Sequence, residues 1–462
     1  MSMDRTRQAV LFPDLFRRPL HVAFSETDTS SDGGAVLVKA ADARLGLTAA
    51  LAGALSDRRD PAKVVHAGQQ LLAQRIYGLA CGYEDANDAA RLSDDPLHRL
   101  LLERDPQAGP GLASQPTLSR FENAADAPTL LRLGTVLAER VIAAQRRRRR
   151  GRARWITVDL DVTDDATHGA QQLSFFHGHY DTWCYLPLLA FLRLDREPEQ
   201  YLVGALLRPG NAAPTLGVRG LLARLLPCLR QAFPGAHILV RLDGGFAHPA
   251  LLTWLEEQPR VDYVIGLPGN AVVRRKVRPL LRQAQKLSRR SGWTEHVYGE
   301  IRYAAQTWPH ARRVLVKAEV VVDPSGRKPP RENPRFVVTS LRRGTPQRLY
   351  ERLYCARGEI ENRLKELQHD LALGRTSCMR FAANQLRVLL SAAAYALLQV
   401  VRQAAAGTAH ARAQAGTLRL LFLKLAARVV TSVRRIVVHL PATALARESW
   451  RALALRLGAQ PG

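Results

Sequence analysis

Four acidic residues stand in settings where a carboxylate can do chemistry. Asp159 and Asp161 lie two apart in the β-branched run WITVDLDVT, residues 155–163, and on a strand both side chains project from the same face of a sheet. Asp243 closes the apolar run AHILVRLD and is followed by Gly244 and Gly245. Two glycines leave room for close approach by a metal ion or a phosphate backbone, and open α/β sheets collect their ligands at strand ends. An Asp-Gly pair is also ordinary turn chemistry. Tyr354, Arg357 and Glu361 are spaced i, i+3, i+7, and Lys365 follows one turn on. On a helix they form one stripe, a spacing that a solvated surface ion pair shares.

The elements that must carry these residues are readable around them. Residues 1–150 have helical periodicity in LTAALAGALSD and AKVVHAGQQLLAQRIYGLACG, which predicts a helical domain. It ends in a basic cluster from Arg146 to Arg154, either a solvated linker or a phosphate contact. From Trp155 the texture becomes β: a strand to Thr163, a hairpin pair within LSFFHGHYDTWCYLPLLAFL, and a strand in QYLVGALLRPG. Helices and strands then alternate as far as the basic helix NAVVRRKVRPLLRQAQKLSRR. That order predicts an α/β domain with a mixed sheet. A small β-rich insertion is expected between about Trp293 and Leu341, and from Thr345 the chain reads as helical to its end, including RLLFLKLAARVVTSVRRIVVHL, residues 419–440. The boundaries predicted are 1–150, 151–292, 293–344 for the insertion, 345–402 with the Glu361 helix, and a C-terminal helical region at 403–462.

Composition narrows the partners. The 462-residue chain carries a formal net charge of +26, with Arg in excess of Lys. Arg contacts phosphate bidentately and each neutralised phosphate releases counterions, so a nucleic acid is favoured over a small acidic ligand. The longest apolar run, Val388 to Val401, is interrupted by Ser391 and Gln399 and is shorter than the ~20 residues of a bilayer span. No membrane partner is expected, and the N-terminus lacks an apolar signal core. A cytoplasmic location follows. The five cysteines are scattered without a CxxC pair, which predicts free thiols. His168, His177 and His179 lack a third ligand at matching spacing and read as turn or surface histidines. Arg274, Arg275 and Lys276 open the basic helix, which is expected to track DNA.

Several segments, in order along the chain, resemble the DDE-type insertion-sequence transposases of the group 1 DDE-domain branch, in the superfamily with a Tyr-Arg-Glu-Lys signature. They are LASQPTLSRFEN, DLDVTDDATHGAQ, FFHGHYDTWCYLPLLAF, VRLDGGFA, VDYVIGLPGN and YCARGEIENRLKELQHDL. The resemblance implies an RNase H-like catalytic domain with a β-rich insertion, preceded by a helical DNA-binding domain and followed by C-terminal helices. It implies that Asp161, in its Asp-x-Thr context, is the first catalytic carboxylate, with Asp159 the alternate. Asp243 is implied as the second carboxylate and Glu361 as the third. Tyr354 and Arg357 match the signature, but its final Lys falls on Gln368, with Lys365 one turn earlier as a substitute. An insertion aromatic that holds a flipped base is implied at Trp308, with Tyr303 and Trp293 as alternates. Three carboxylates can hold two hard divalent ions roughly 3.5–4 Å apart, here two Mg²⁺, for which Mn²⁺ can substitute. The implied reaction is cleavage of transposon ends and joining of the 3′-hydroxyl to target DNA. The implied partners are double-stranded terminal inverted repeats and target DNA, met by a homodimer on paired ends.

Overall fold

The β texture that begins at Trp155 folds into one nine-stranded mixed sheet in the computed structural model, which describes residues 10–12, 16–57 and 59–461. Its strands, with the small hairpin strands between them, are in chain order β1 (Trp155–Val162), β2 (Asp165–Ala166), β3 (Phe175–His177), β4 (Thr182–Tyr185), β5 (Leu188–Leu194) and β6 (Tyr201–Leu206). They continue as β7 (His237–Leu242), β8 (Val261–Leu267), β9 (Glu295–Tyr303), β10 (Arg312–Val321) and β11 (Arg335–Thr339). Across the main sheet the order is β9-β10-β11-β8-β7-β1-β5-β6, with the two residues Arg331–Glu332 added beside β10. β7 runs parallel to both β1 and β8, and the other pairings are antiparallel. β2, β3 and β4 form a separate three-stranded sheet. β1, β7 and β8 are buried almost along their length, as parallel strands covered on both faces must be.

The β-rich stretch after Trp293 is not a detached module. β11 pairs antiparallel with β8, so β9–β11 extend the main sheet from its outer edge.

The principal helices are α1 (Gly68–Ala80), α2 (Gln115–Asn123), α3 (Ala127–Arg148), α4 (Val218–Ala232), α5 (Ala271–Lys276), α6 (Arg278–Ser291), α7 (Glu359–Lys365), α8 (Phe381–Ala404) and α9 (Arg447–Leu457). The N-terminal region is therefore helical, the centre a mixed sheet, and helices follow. α8 is buried along nearly its whole length, and its polar residues explain how. Gln385 accepts from the Leu207 amide at 2.7 Å, and Gln399 accepts from the Leu202 amide at 3.2 Å and donates to the Gln200 carbonyl at 2.6 Å. Gln385, just before the apolar run, and Gln399, within it, thus satisfy backbone groups at the open edge of β6. α8 is the one helix among the described residues long and apolar enough to cross a membrane, and 89% of its most apolar window is buried inside the protein.

Glu122, in the LASQPTLSRFEN segment, is buried between Arg75 of α1 (2.8 Å) and Arg387 of α8 (2.9 Å). This segment's carboxylate ties the N-terminal helices to the central helix. The C-terminal reading needs correction at 419–440. A short π-turn, Arg419–Leu423, gives way to strands Ala427–Thr431 and Ile436–His439. The first of these pairs with Thr29–Ser30 near the other end of the chain.

Candidate active site

Three residues of β1 (Thr157, Asp159, Asp161) and three of β7 (Leu239, Arg241, then Asp243 just past its end) fall on one face of the sheet by the period of two. The strands are parallel and in register with Arg241 opposite Asp159. Asp161 lies two residues beyond Asp159 and Asp243 two residues beyond Arg241, both toward the C-terminal strand ends, and the Asp243 charge acts on Asp161.

The two aspartates of β1 have different environments. Asp159 is fully buried, with both oxygens engaged by Arg241 at 2.6 and 2.7 Å and a further bond from Gln200 Nε2 at 2.9 Å. Its lone pairs serve a structural ion pair, which leaves Asp161 as the available carboxylate of β1. Burial pushes the Asp161 carboxyl up, the Asp243 charge adds to this, and Arg357, whose Nη1 is 2.8 Å from Asp161 Oδ2, works against it. Asp243 is half-buried and caps the Gly244–Phe246 turn by accepting from the Gly245 amide at 2.8 Å.

The segment from Pro346 to Asp370 supplies the rest. It is helical throughout but changes pitch repeatedly: a π-turn at Leu349–Tyr354, a 3₁₀ turn at Cys355–Gly358, α7, and a second π-turn at Glu366–Asp370. Such pitch changes re-aim side chains. Arg241 holds the first π-turn by donating to the Leu353 carbonyl at 2.8 Å. Tyr354 enters a space made by glycine: a Cβ on Gly266 would stand 2.6 Å from the Tyr354 hydroxyl and 2.7 Å from the Gly244 nitrogen. Burial raises the Tyr354 hydroxyl pKa, Asp243 reinforces that, and Arg357 opposes it. For Arg357 burial acts downward, but Asp161 and Asp243 outweigh it and hold the guanidinium charged. Asp161, Asp243, Tyr354 and Arg357 thus meet at one place.

Glu361 lies one turn beyond Arg357 and is exposed. Further along, Gln368 donates to the Thr163 hydroxyl and, at 3.4 Å, to the Asp164 carbonyl. Glu361 is therefore carried between two anchors, Arg357 on Asp161 and Gln368 on the residues just after it. Lys365 is exposed on α7. The ligand atoms of Asp161, Asp243 and Glu361 do not all lie within 4.8 Å of one another. Among the described residues the one trio with ligand atoms all within 4.8 Å of one another is Asp32, Cys81 and His98. That buried trio could hold a metal ion, but Asp32 already pairs with Lys424 at 2.7 Å, accepts from Tyr83 at 2.7 Å and meets His98 Nε2 at 2.9 Å.

Trp308 is not where a base could reach it. It is 8% exposed, packed edge-on to Tyr303 at 5.3 Å with the Arg312 guanidinium 5.0 Å over its ring. Tyr303 is buried too and accepts from Asn270 at 2.9 Å, whereas Trp293, at the turn after α6, is 69% exposed. Arg274, Arg275 and Lys276 are exposed on α5. α6 buries Leu281, Ala284 and Ser288 and turns Arg278, Arg282, Lys286, Arg289 and Arg290 outward. The five cysteines are free. The rings of His177, His179 and Tyr180 meet edge-on or tilted at the tip of a hairpin.

The family model for the transposase DDE domain, group 1, matches residues 12–461. The chain belongs to this family. No curated protein matches it. Among solved structures it is similar to the piggyBac transposase synaptic complex with hairpin DNA, at 12% identity and a TM-score of 0.38, over 78% of this chain and 70% of that one. A DDE transposase domain thus spans most of the chain, an architecture consistent with DNA cleavage and strand transfer, and membership of a family of DNA transposases implies interaction with DNA.

Two residues of this DDE domain escaped the reading of the sequence. Arg241 had a signal, a charge inside the buried run ILVRLD, where an unpaired guanidinium is too costly to leave without a partner. Gln368 stood out only as a departure from the signature, and its bonds to Thr163 and Asp164 depend on a contact across about 200 residues.

Proposed function

We propose that this chain is an insertion-sequence transposase that cleaves transposon ends and joins the freed 3′-hydroxyl to target DNA, with Asp161, Asp243 and Glu361 as ligands to two Mg²⁺, or Mn²⁺, ions. The observation that carries the reading is the convergence of Asp161, Asp243, Tyr354 and Arg357 at adjacent parallel strand ends in a chain of the DDE family. The strand order β6-β5-β1-β7-β8, three antiparallel strands followed by two parallel ones, supports an RNase H-like core within residues 151–402, with a helical DNA-binding region before it.

An all-oxygen, all-carboxylate donor set suits hard divalent cations, and Asp161, Asp243 and Glu361 would hold them. Bound there, the ions supply activation of the attacking water or 3′-hydroxyl and stabilisation of the leaving oxygen. Arg357 presents a charged fork to a phosphate beside the carboxylates. The Tyr354 hydroxyl, kept protonated by burial, donates to the same phosphate. Lys365 extends this contact along the strand, and the outward cations of α5 and α6, including Arg274, Arg275 and Lys276, track the duplex. The partners are terminal inverted repeats and target DNA, met by a homodimer on paired ends in the bacterial cytoplasm.

The test is cleavage of linear DNA carrying the element's ends, in Mg²⁺, by the wild type and by Asp243→Ala. Loss of cleavage with retained end binding is expected, and retained cleavage overturns the assignment. Gln368 in place of the signature lysine favours a second reading, an end-binding protein that no longer cuts. Wild-type protein that binds ends but never nicks them would establish that reading instead.

A further inference from the structure

The basic cluster from Arg146 to Arg154 divides in the folded chain. Arg148 and Arg149 close the end of α3 onto Asp195 and Glu197, with Arg149 Nη1 2.9 Å from Glu197 Oε1. Asp195 also accepts from the Arg154 and Trp155 amides at 3.0 and 2.8 Å, so both carboxylates beside the start of β1 are occupied. Arg152 goes elsewhere. It lies over Gly235, two residues before β7, where a Cβ would stand 2.1 Å from Arg152 Nη2 and 3.0 Å from Arg260 Nη1. Two nitrogens at those distances from one point are no more than about 5 Å apart. Gly235 has φ +76°, and its missing side chain is what lets both guanidiniums lie there. Arg260 also holds a left-handed backbone (φ +57°), uncommon for a residue with a side chain. Both arginines are exposed, and among the described residues neither guanidinium has an ion pair or hydrogen bond. Glu257 and Asp262, the acidic residues nearest to Arg260 in sequence, bond to neither; Asp262 accepts from Ser340 at 2.8 Å.

Gly235 and Arg260 border a recess of about 200 Å³ with Ile156, Leu229 and Phe233 on its apolar side. Half-buried Arg230 lines it too, donating to the Pro259 carbonyl at 3.2 Å. β1, β7 and β8 all begin at this corner. Asp161 is six residues along β1 from Trp155, so the corner stands ~20 Å from the carboxylates, at the opposite pole of the sheet. Guanidiniums this close, with no carboxylate between them, repel one another. Two forks beside one recess suit a tetrahedral oxyanion, which removes that repulsion and accepts from both. We infer that Arg152, Arg260 and Arg230 form a phosphate-binding site at the pole of the sheet opposite to Asp161 and Asp243. Its ligand is a phosphate group, from the backbone of a DNA segment other than the one at the carboxylates or from free inorganic phosphate. The inference is independent of the metal and the chemistry proposed for Asp161, Asp243 and Glu361.

The experiment uses the full chain without divalent metal, as wild type and with Arg152→Ala and Arg260→Ala combined. Inorganic phosphate, titrated to about ten times its half-saturation concentration, should raise the wild-type melting temperature by about 2 °C over chloride of equal ionic strength. The double variant should lose this rise. Affinity for a fluorescein-labelled duplex of unrelated sequence, measured across salt, separates the two sources. A slope of log affinity against log salt that is shallower by about 0.9 in the double variant assigns the phosphate to a DNA backbone. An unchanged slope beside a lost phosphate rise assigns it to free phosphate. A phosphate rise that is absent from wild type or equal in both proteins, together with an unchanged slope, overturns the proposal. So does a double variant that melts below wild type in phosphate-free buffer, because removing two repelling charges that hold nothing else should leave stability unchanged or raise it. No transposon end and no cleavage enter these measurements, so failure here leaves the Asp243→Ala result intact, and the reverse also holds.

Discussion

Replacing Arg241 by Met would break one of the contacts that join the carboxylate strands to the signature segment. Arg241 and Asp159 are almost fully buried and doubly bonded, and the same guanidinium donates to the Leu353 carbonyl. Removing one partner of a buried pair costs about 3–5 kcal/mol, because the other charge is left uncompensated. The orphaned Leu353 carbonyl adds ~1 kcal/mol or more. These contributions overlap, so ~4 kcal/mol is expected, a large share of the roughly 5–15 kcal/mol that holds a domain folded. Asp159→Leu combined with Arg241→Met removes both charges. It should recover ~2–3 kcal/mol relative to Arg241→Met alone, with Gln200 and Leu353 still short of partners. Urea unfolding followed by circular dichroism gives the stabilities, and hydrogen exchange over residues 349–358 reports the first π-turn locally. An Arg241→Met protein within ~1 kcal/mol of wild type, or a double variant as unstable as the sum of the singles, would refute the account of this pair.

Two further outcomes follow from charge. Burial pushes the Asp165 carboxyl up to about 7, against 3.8 for the ordinary group, despite a 2.8 Å bond from Thr376. Between those values the folded state keeps a proton that the unfolded chain has released, so stability falls as pH rises through that window. The full penalty, ~4 kcal/mol, is present above about pH 7. Melting temperatures at pH 5 and pH 8 should therefore diverge more for wild type than for Asp165→Asn, and parallel profiles would contradict this. Replacing Arg274, Arg275 and Lys276 by Ala should lower the slope of log affinity for duplex DNA against log salt by about 0.9 per lost phosphate contact. An unchanged slope would remove α5 from the DNA path.

Several parts of this geometry were legible because they depend on local periodicity. The strand ending in Asp243 and the strand bearing Asp159 and Asp161 follow from nearest neighbours along the chain, whereas the regular stripe expected of Tyr354, Arg357 and Glu361 is interrupted by a π-turn and a 3₁₀ turn. The different surroundings of Asp159 and Asp161 do not, because Asp159 is paired with Arg241, which is 82 residues away and on another strand. Trp308 reads as well suited to a DNA base until Tyr303 and Arg312 close over it. Residues 419–440 have an apolar content that suits a helix, yet Val429 and Val430 join a strand because Thr29–Ser30 offers a free edge some 400 residues away. The strands after Trp293 read as β from their alternation, while their attachment to β8 through β11 is a long-range pairing with no local trace.

Divalent-ion binding tests the centre of this account most directly. Titration of the folded chain with Mn²⁺, followed by electron paramagnetic resonance, should show two bound ions in wild type and in Asp159→Asn. Affinity should fall by at least ~10-fold in each of Asp161→Asn, Asp243→Asn and Glu361→Gln. Ions lost with Asp159→Asn, or retained unchanged in the Asp161→Asn and Glu361→Gln proteins, would contradict it.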